Sequence, residues 1–292
     1  MADPVAGDAS PTTTIKFYDI ATSPAKRPFA PNPCKARYAL NFKAIPFSTV
    51  WVPLPEISAV RIALGVPAVR RFADGSDFHT LPLLADGTTL VGDSFDIARY
   101  AQTYAATPSS SSGSDLFPPQ TLDYHSPHAD DSQYFAPLSV RPTEDSAVLE
   151  EYARFNRSVD ATFSAYVVLT VHGIPFDEAT AGQTKAEFLR RAGLASWDDL
   201  TVRGQDRERL TAGFKEALAG LAELFADRDD KPGKRGPFIL GTTATYADMI
   251  VGGWLRMLSI TLPAGEWDDA RTWHGGIWGR LHDALDKWSS TR

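Results

Sequence analysis

The spacing of hydrophobic residues changes along the chain, and the first hundred residues have the pattern of a mixed α/β domain. Short runs that alternate between apolar and polar positions predict strands over Ile15–Ile20 and Phe47–Val52. Helical spacing follows each of them, over Lys35–Lys43 and Glu56–Leu64. Residues 21–33 contain four prolines and predict a loop. Because a helix separates the first two strands, we expect them to be parallel with a right-handed crossover.

A hairpin and a further helix complete this pattern. Leu81–Ala85 and Thr88–Val91 predict two strands joined by Asp86-Gly87, a sequence typical of a type I′ turn. The next helical pattern covers Phe95–Tyr104, and Ser94 is placed as its N-cap. The order β-α-β-α-β-β-α is that of a thioredoxin-like domain.

The second half of the chain has helical spacing throughout. Apolar residues three or four positions apart predict an all-helical domain. The predicted helices cover residues 143–173, 184–192, 205–228 and 249–260, followed by one or two helices over 267–288. Thr245 and Asp248 form a capping-box pattern before the fourth of these, a mostly apolar helix that we expect to be buried.

These patterns predict a division of the chain into four parts. They are a disordered tail over residues 1–13, the α/β domain over 14–106, a linker with an insertion over 107–142, and the helical domain over 143–292. The serine-rich stretch 109–114 is typical of a flexible linker. His125, His128, Asp130 and Asp131 lie in the insertion, where we expect a solvated loop and no metal site.

Composition and charge limit the function. The chain has 292 residues, 43% of them hydrophobic, and a net charge of −7 with no basic run, which argues against nucleic acid or an acidic membrane as a partner. No apolar run approaches the length of a membrane-spanning helix, and the first residues do not resemble a secretory signal. A single cysteine excludes an internal disulfide. We therefore expect a cytoplasmic protein.

The segment around the predicted hairpin has the features of an amino-acid binding site. The start of the helix at Ser94 offers unpaired N–H groups to a carboxylate, and Asp93 could hold an ammonium group. A carboxylate beside an ammonium is the head of a free amino acid or of a γ-glutamyl group. A proline within a strand is explained if the Leu81–Pro82 bond is cis, which would leave the backbone of Leu81 free to pair with a peptide-like ligand.

In this order, Leu81-Pro82, Asp86-Gly87 and Asp93-Ser94 resemble the thioredoxin-like domain of cytosolic glutathione transferases. Upstream, Tyr18-Asp19-Ile20, Pro31-Asn32 and the stretch 37–43 are similar to the fungal FuA class, which is related to bacterial lignin β-etherases. The resemblance implies the glutathione transferase fold, an α/β thioredoxin-like N-terminal domain followed by an all-α C-terminal domain. It also implies glutathione as co-substrate, a hydrophobic aromatic second ligand and a homodimer.

The resemblance places the glutathione site on several residues. Leu81 and Pro82 would hold the cysteinyl backbone, and Asp93 and Ser94 the γ-glutamyl end. His79 is the first candidate for the glycine carboxylate; Lys43, Arg70 and Arg71 remain alternatives. For the second ligand, the candidate aromatic wall consists of Phe29, Tyr152, Phe155 and Tyr166.

The residue that should activate the thiol is missing. Counting back from Lys35, the position of the family's serine or cysteine holds Ala30. We predict that Asn32, together with backbone N–H groups of the helix start, stabilises the thiolate instead. Cys34, which we expect to be a core residue, and Ser23 are the alternatives.

Three functions follow. The first is conjugation of glutathione to hydrophobic aromatic electrophiles, with weak activity because of Ala30; a glutathione-dependent ether cleavage is a variant of it. The second is a ligandin-type protein that binds aromatic molecules without turnover. The third, a structural assembly module, is disfavoured because Leu81-Pro82 and Asp93-Ser94 are intact.

Overall fold

The computed structural model describes residues 15–23, 27–72, 74–104, 115–128, 146–226 and 236–292. The tail predicted over 1–13 and the serine-rich linker 109–114 lie outside these residues, as do Asp130, Asp131, Thr143 and Glu144. Among the described residues, none of the helices has the length and apolar content needed to span a membrane.

A four-stranded sheet forms the centre of the N-terminal domain. Its order is β2-β1-β5-β6, and the predicted parallel pairing of the first two strands is confirmed, with Ile15 beside Phe47 and Ile20 beside Val52. A second, two-stranded sheet joins β3 to β4. The strands are β1 (Ile15–Ile20), β2 (Phe47–Val52), β3 (Arg70–Arg71), β4 (Asp77–Phe78), β5 (Leu83–Asp86) and β6 (Thr89–Val91).

One local expectation about these strands was wrong, and one hairpin was not foreseen. Asp86 pairs with Thr89, so the turn residues are Gly87 and Thr88. Gly87 has φ 56°, whereas Asp86 and Thr88 do not have positive φ, and a type I′ turn needs two such residues. The hairpin of β3 and β4 was not foreseen, because strands of two residues are too short for a periodic pattern.

Ten helices are present in the described residues, and the first differs most from its prediction. It begins at Pro31, inside the segment assigned to a loop, because prolines at the first positions of a helix lose only N–H groups that have no intrahelical partner. The helices are α1 (Pro31–Phe42), α2 (Ile57–Ala63), α3 (Ser94–Tyr104), α4 (Ala147–Ala165), α5 (Ala181–Ala192), α6 (Gly204–Ala217), α7 (Ala219–Ala222), α8 (Tyr246–Thr261), α9 (Ala264–Ala270) and α10 (Trp273–Leu285).

The C-terminal part of the described chain is helical, as predicted, with changed boundaries. The helix expected over 143–173 ends at Ala165 and continues as two short 3₁₀ turns, and the helix expected over 205–228 is divided into α6 and α7. The capping box of α8 is confirmed: the Thr245 N–H donates to Asp248 Oδ2 at 2.7 Å.

Helix α8 joins the two domains. It packs against α1 on one side and against α4 and α10 on others, and nearly all of its residues are buried. Gly253 allows α8 to approach the backbone of α1 closely, because a Cβ atom there would lie 2.6 Å from the carbonyl oxygen of Pro31. One continuous hydrophobic core extends from Ile15 in the sheet to Leu285 in α10. The region between the start of α1 and the helical domain is where a cavity opens.

Candidate active site

An apolar cavity of about 210 Å³ lies between the two domains. The N-terminal domain contributes the start of α1, β4 and the residues before β5; the helical domain contributes α4, α5, α8 and the loop before α5. Its charged lining residues are Arg70, Asp160 and Arg191. Its aromatic lining residues are Phe29, Phe78, Phe176, Phe188 and Trp254. Such a cavity suits an apolar, ring-containing ligand.

The start of α1 borders this cavity with few hydrogen-bond donors. Ala30 is the N-cap, at φ −68° and ψ 133°, and makes no side-chain cap. Pro31 and Pro33 have no N–H, so among the first three helical positions only Asn32 has one. The helix start therefore has fewer backbone donors than we expected, because prolines occupy two of the positions.

Asn32 has the side chain best placed for chemistry at this helix start. It lines the cavity, and its Oδ1 is buried without a hydrogen-bond partner among the described residues. This oxygen is an acceptor, so a donor group of a ligand would satisfy it, whereas the side-chain NH₂ and the backbone N–H of the same residue are donors. A buried polar atom without a partner is costly in a finished protein interior and is common where a ligand completes the site.

The Leu81–Pro82 peptide bond is cis, as expected from the sequence. Leu81 lines the cavity, and its backbone N–H and C=O have no partner within the described part of the chain. Pro82 is buried next to it. The backbone of Leu81 is therefore available for an extended peptide-like ligand.

Asp93 and Ser94 lie together at the start of α3, and both are buried. Asp93, not Ser94, is the cap: its Oδ1 accepts the Phe95 N–H at 2.8 Å, and its carbonyl accepts the Ile97 N–H at 2.9 Å. The assignment of Ser94 as N-cap was wrong by one position, since Ser94 is the first helical residue. Neither residue borders the apolar cavity.

Among the predicted anchors for a carboxylate, Arg70 alone lines the cavity. Lys43 lies at the far end of α1, where Gln102 Oε1 is 3.4 Å away, and Arg71 forms an exposed ion pair with Asp77. His79 does not border the cavity; burial, followed by the charge of Arg61, lowers the pKa of its imidazole.

The sequence reasoning missed a second guanidinium at the cavity, Arg191 of α5. It donates to the carbonyl of His79 at 3.0 Å and to Glu187 at 2.7 Å, and it lies over the ring of Phe78 at 5.0 Å. Nothing local in the sequence distinguishes it from Arg190, because the distinction depends on which face of α5 meets the N-terminal domain.

The two alternative thiol-activating residues do not border the cavity. Cys34 is a core residue, and burial raises the pKa of its thiol to about 12, so the thiol stays protonated and unreactive at neutral pH. Ser23 lies in a loop, where its N–H donates to the carbonyl of Pro175 at 3.3 Å. The expectation that Cys34 is a core residue is confirmed.

Of the expected aromatic wall, Phe29 alone lines the cavity. Tyr152 and Phe155 are completely buried in the core, and Tyr166 stacks on Phe214 with 5.1 Å between ring centres. The apolar face of α4, which includes Tyr152 and Phe155, packs into the core of the helical domain. The cavity instead meets the polar positions Asp160 and Ser164 of that helix.

The sequence reasoning also missed a buried network below the start of α1. The Lys35 ammonium forms an ion pair with Asp160 Oδ1 and donates to Asn156 Oδ1 at 2.9 Å. Trp254 donates its indole N–H to the same Asp160 Oδ1 at 2.7 Å. Burial lowers the pKa of Lys35, and the neighbouring Asp160 carboxylate opposes that shift. In the sequence, Lys35 gives no sign of burial, because its partners lie more than a hundred residues away.

No metal site is formed by the part of the insertion that the structure describes. Within the described residues no three histidine, cysteine or acidic side chains lie close enough together to hold an ion. His128 Nε2 instead lies 3.2 Å from the Tyr166 hydroxyl.

Comparisons with known proteins agree with this geometry. Residues 29–103 match the glutathione S-transferase N-terminal domain, and residues 183–288 match the glutathione S-transferase C-terminal domain. No curated protein sequence matches the chain.

Several solved fungal structures have the same fold. A glutathione S-transferase of Ceriporiopsis subvermispora, solved in complex with glutathione, is 26% identical, with a TM-score of 0.72 over 96% of this chain and 99% of that one. The FuA3 glutathione transferase of Phanerochaete chrysosporium is 22% identical, with a TM-score of 0.72 over 96% and 98% of the two chains. The FuA2 enzyme of the same fungus is 23% identical, with a TM-score of 0.68 over 96% and 99%.

Proposed function

We propose that this chain, which belongs to the glutathione S-transferase family, binds glutathione and transfers the glutathionyl group, through its sulfur, to an apolar aromatic electrophile. The observation that carries the proposal is one cavity bordered by both the Asn32 amide and the unpartnered backbone of Leu81. Its volume then continues between aromatic rings of the helical domain. A polar end beside an apolar end is what a reaction between a peptide thiol and a hydrophobic molecule requires.

In this proposal the two ends of glutathione are held at different places. Leu81 pairs with the cysteinyl backbone, and Pro82 fixes the conformation of that segment. Asp93 and Ser94 hold the γ-glutamyl end from the start of α3, outside the apolar cavity. Arg70, which lines the cavity, replaces His79 as our choice for the glycine carboxylate.

Asn32 stabilises the thiolate in the reaction. The thiol loses its proton to solvent, and the thiolate receives hydrogen bonds from the side-chain amide and the backbone N–H of Asn32. The sulfur then attacks an electron-poor carbon, a C–S bond forms, and the leaving group departs with its bonding electrons. When the leaving group is an aryl-oxide, this same step is an ether cleavage.

The test compares binding and turnover in Asn32→Ala. Removing a donor that acts mainly on the developing anion reduces turnover by roughly ten- to a hundredfold. Calorimetric affinity for glutathione should change little, because the backbone and the charged ends contribute most of the binding. Equal turnover in wild type and Asn32→Ala would remove Asn32 from the mechanism.

A matched variant controls for packing. Asn32→Asp has nearly the same volume but replaces the amide donor with an anion, so it should lower turnover further than Asn32→Ala does. If neither wild type nor variants bind glutathione at millimolar concentration, the transferase proposal fails.

The second candidate is a ligandin, favoured by a specific observation at α1. With Ala30 at the N-cap and prolines at the first and third positions, only one of the first three helical residues has a backbone N–H. A protein that binds glutathione and aromatic ligands but releases no conjugate over many turnovers would match this candidate.

The family resemblance also supports a homodimer. We propose that two copies associate in solution, and light scattering at micromolar concentration measures the mass directly. A monomeric mass of about 32 kDa would contradict this.

A further inference from the structure

Only one of the two carboxylate oxygens of Asp160 has hydrogen-bond donors among the described residues. Lys35 and Trp254 both bond to Oδ1, whereas Oδ2 accepts no hydrogen bond from any described residue. Asp160 is only 4% exposed, yet it lines the cavity, and its Oδ2 is not among the polar atoms sealed from solvent. The open volume that Oδ2 meets is therefore the cavity itself.

We infer that Asp160 Oδ2 accepts a hydrogen bond from a neutral hydroxyl group on the second ligand, and that this contact selects hydroxylated aromatic compounds over equally large ones without a donor. The inference rests on the proposed function, because it concerns the apolar half of the same cavity.

The surroundings decide which donor fits. A cationic donor such as an amine is disfavoured, because Lys35 already occupies the other oxygen of the carboxylate and the remaining charged lining residues are Arg70 and Arg191. An anion is repelled by the carboxylate itself. A neutral O–H group on an apolar ring satisfies Oδ2 without adding charge, and the rings of Phe29 and Trp254 lie beside the same cavity.

A purely structural role does not require this arrangement. Replacing a buried ion pair with apolar side chains of similar volume is often neutral or stabilising, so packing α1 against α4 does not by itself call for an ion pair. An acceptor left open inside an apolar cavity costs free energy until a donor arrives. Ligands without a hydrogen-bond donor therefore bind with lower affinity, because they leave this oxygen unpaired.

The test uses two ligands of the same ring system. 2-Naphthol donates a hydrogen bond, whereas 2-methoxynaphthalene carries the same oxygen without a donor. We expect calorimetry to show that the wild-type protein binds 2-naphthol roughly ten- to a hundredfold more tightly, as a hydrogen bond to a charged group implies. Equal affinities in the wild type would overturn the inference without any variant.

A double variant locates the acceptor. In Lys35→Met with Asp160→Asn, the Trp254 N–H can still bond to the amide oxygen, while the atom facing the cavity becomes an N–H donor. The preference for 2-naphthol should fall to about twofold or less. A preference that persists in the folded double variant would overturn the assignment.

Ser164 supplies the matched control, because it lines the same cavity one helical turn after Asp160. Ser164→Ala should keep the full preference. If Ser164→Ala loses it, the acceptor is Ser164, and this outcome decides the question even when the double variant does not fold.

Glutathione affinity, measured separately, distinguishes the two proposals. A protein that fails to bind glutathione but prefers 2-naphthol contradicts the transferase and leaves Asp160 as the ligand-selecting residue. A protein that binds and turns over glutathione without any preference contradicts this inference alone.

Discussion

Helix α1 carries two buried cations, two residues apart, and they serve different parts of the molecule. Arg37 turns toward the sheet, where it forms an ion pair with Asp19 at 2.7 Å and donates to the Thr49 hydroxyl at 3.1 Å. The other oxygen of Asp19 accepts the Ile20 N–H at 2.7 Å. Both oxygens of that carboxylate are thus occupied by the protein.

Lys35 turns toward helix α4, and its partner Asp160, which lines the cavity, has one oxygen without a donor among the described residues. Asp160 receives two donors on one oxygen and none from a described residue on the other. Rings also surround the two cations differently. The Arg37 guanidinium lies 5.0 to 5.7 Å from three ring centres of the sheet, those of Phe17, Phe47 and Trp51.

This difference distinguishes a structural ion pair, Arg37 with Asp19, from an ion pair at a candidate ligand site, Lys35 with Asp160. Burial alone does not distinguish them, since all four side chains are at most 6% exposed. What distinguishes them is whether every strong acceptor already has a donor. An unfilled acceptor beside open volume indicates a ligand, whereas a filled pair indicates structure.

Breaking the ion pair of Arg37 and Asp19 should have the largest effect on the unfolding free energy. Arg37→Met leaves Asp19 as an uncompensated buried charge, which costs about 3–5 kcal/mol of unfolding free energy. Urea unfolding followed by circular dichroism measures this loss. The double variant Arg37→Met with Asp19→Leu should recover most of it, because no buried charge remains.

A loss below about 1 kcal/mol in Arg37→Met would show that Asp19 finds another partner or protonates at little cost. In that case the stability of the protein would not depend on the partner of Asp19 any more than on the partner of Asp160.

Breaking the ion pair of Lys35 and Asp160 should cost less unfolding free energy. In Lys35→Met the Asp160 carboxylate keeps the Trp254 N–H and borders open volume, so we expect a loss of roughly 1–3 kcal/mol in the same urea experiment. A loss equal to or larger than that of Arg37→Met would contradict the distinction between the two pairs.

Adding a hydroxyl at the N-cap of α1 should raise the unfolding free energy, by less than the Arg37→Met variant lowers it. Ala30→Ser suits the extended backbone at this position, and serine in place of alanine at an N-cap contributes about 0.5–2 kcal/mol. Its oxygen can accept the Asn32 N–H while its proton is donated to a thiolate. Turnover with a generic aromatic electrophile should rise; unchanged turnover would mean that the sulfur does not lie near Ala30.

The smallest effect on turnover is expected for a change at Cys34, a core residue that precedes Lys35 in sequence. Because burial holds the pKa of its thiol at about 12, a thiol reagent at pH 8 should label it only after unfolding. Cys34→Ser should change turnover little. Rapid labelling of the native protein, or a mixed disulfide with glutathione seen by mass spectrometry, would contradict this reading.

The sequence predicted the parts of the fold that depend on neighbouring residues. Both long strands, the cis bond before Pro82 and the capping box of Thr245 follow from local periodicity and turn chemistry, and all were confirmed. The start of α1 was misplaced because prolines break helices in general but are tolerated in a first turn.

The candidate site was only partly predictable, for a physical reason. Asn32 and Leu81 lie in a recognisable pattern, whereas Lys35, Asp160 and Arg191 take their roles from elements that meet only in the folded chain. A lysine and an aspartate 125 residues apart look like ordinary surface charges in a sequence. Their burial depends on how closely two helices approach.

That close approach, at Gly253 of α8, has a consequence for cooperativity. Because α8 touches the backbone of α1 and one core continues through both domains, each domain covers part of the apolar surface of the other. A fragment holding only the thioredoxin-like part would expose one face of α1 to water. We therefore expect the chain to unfold as a single calorimetric unit, and hydrogen exchange at the centre of α1 should require the same opening as exchange at the centre of α8.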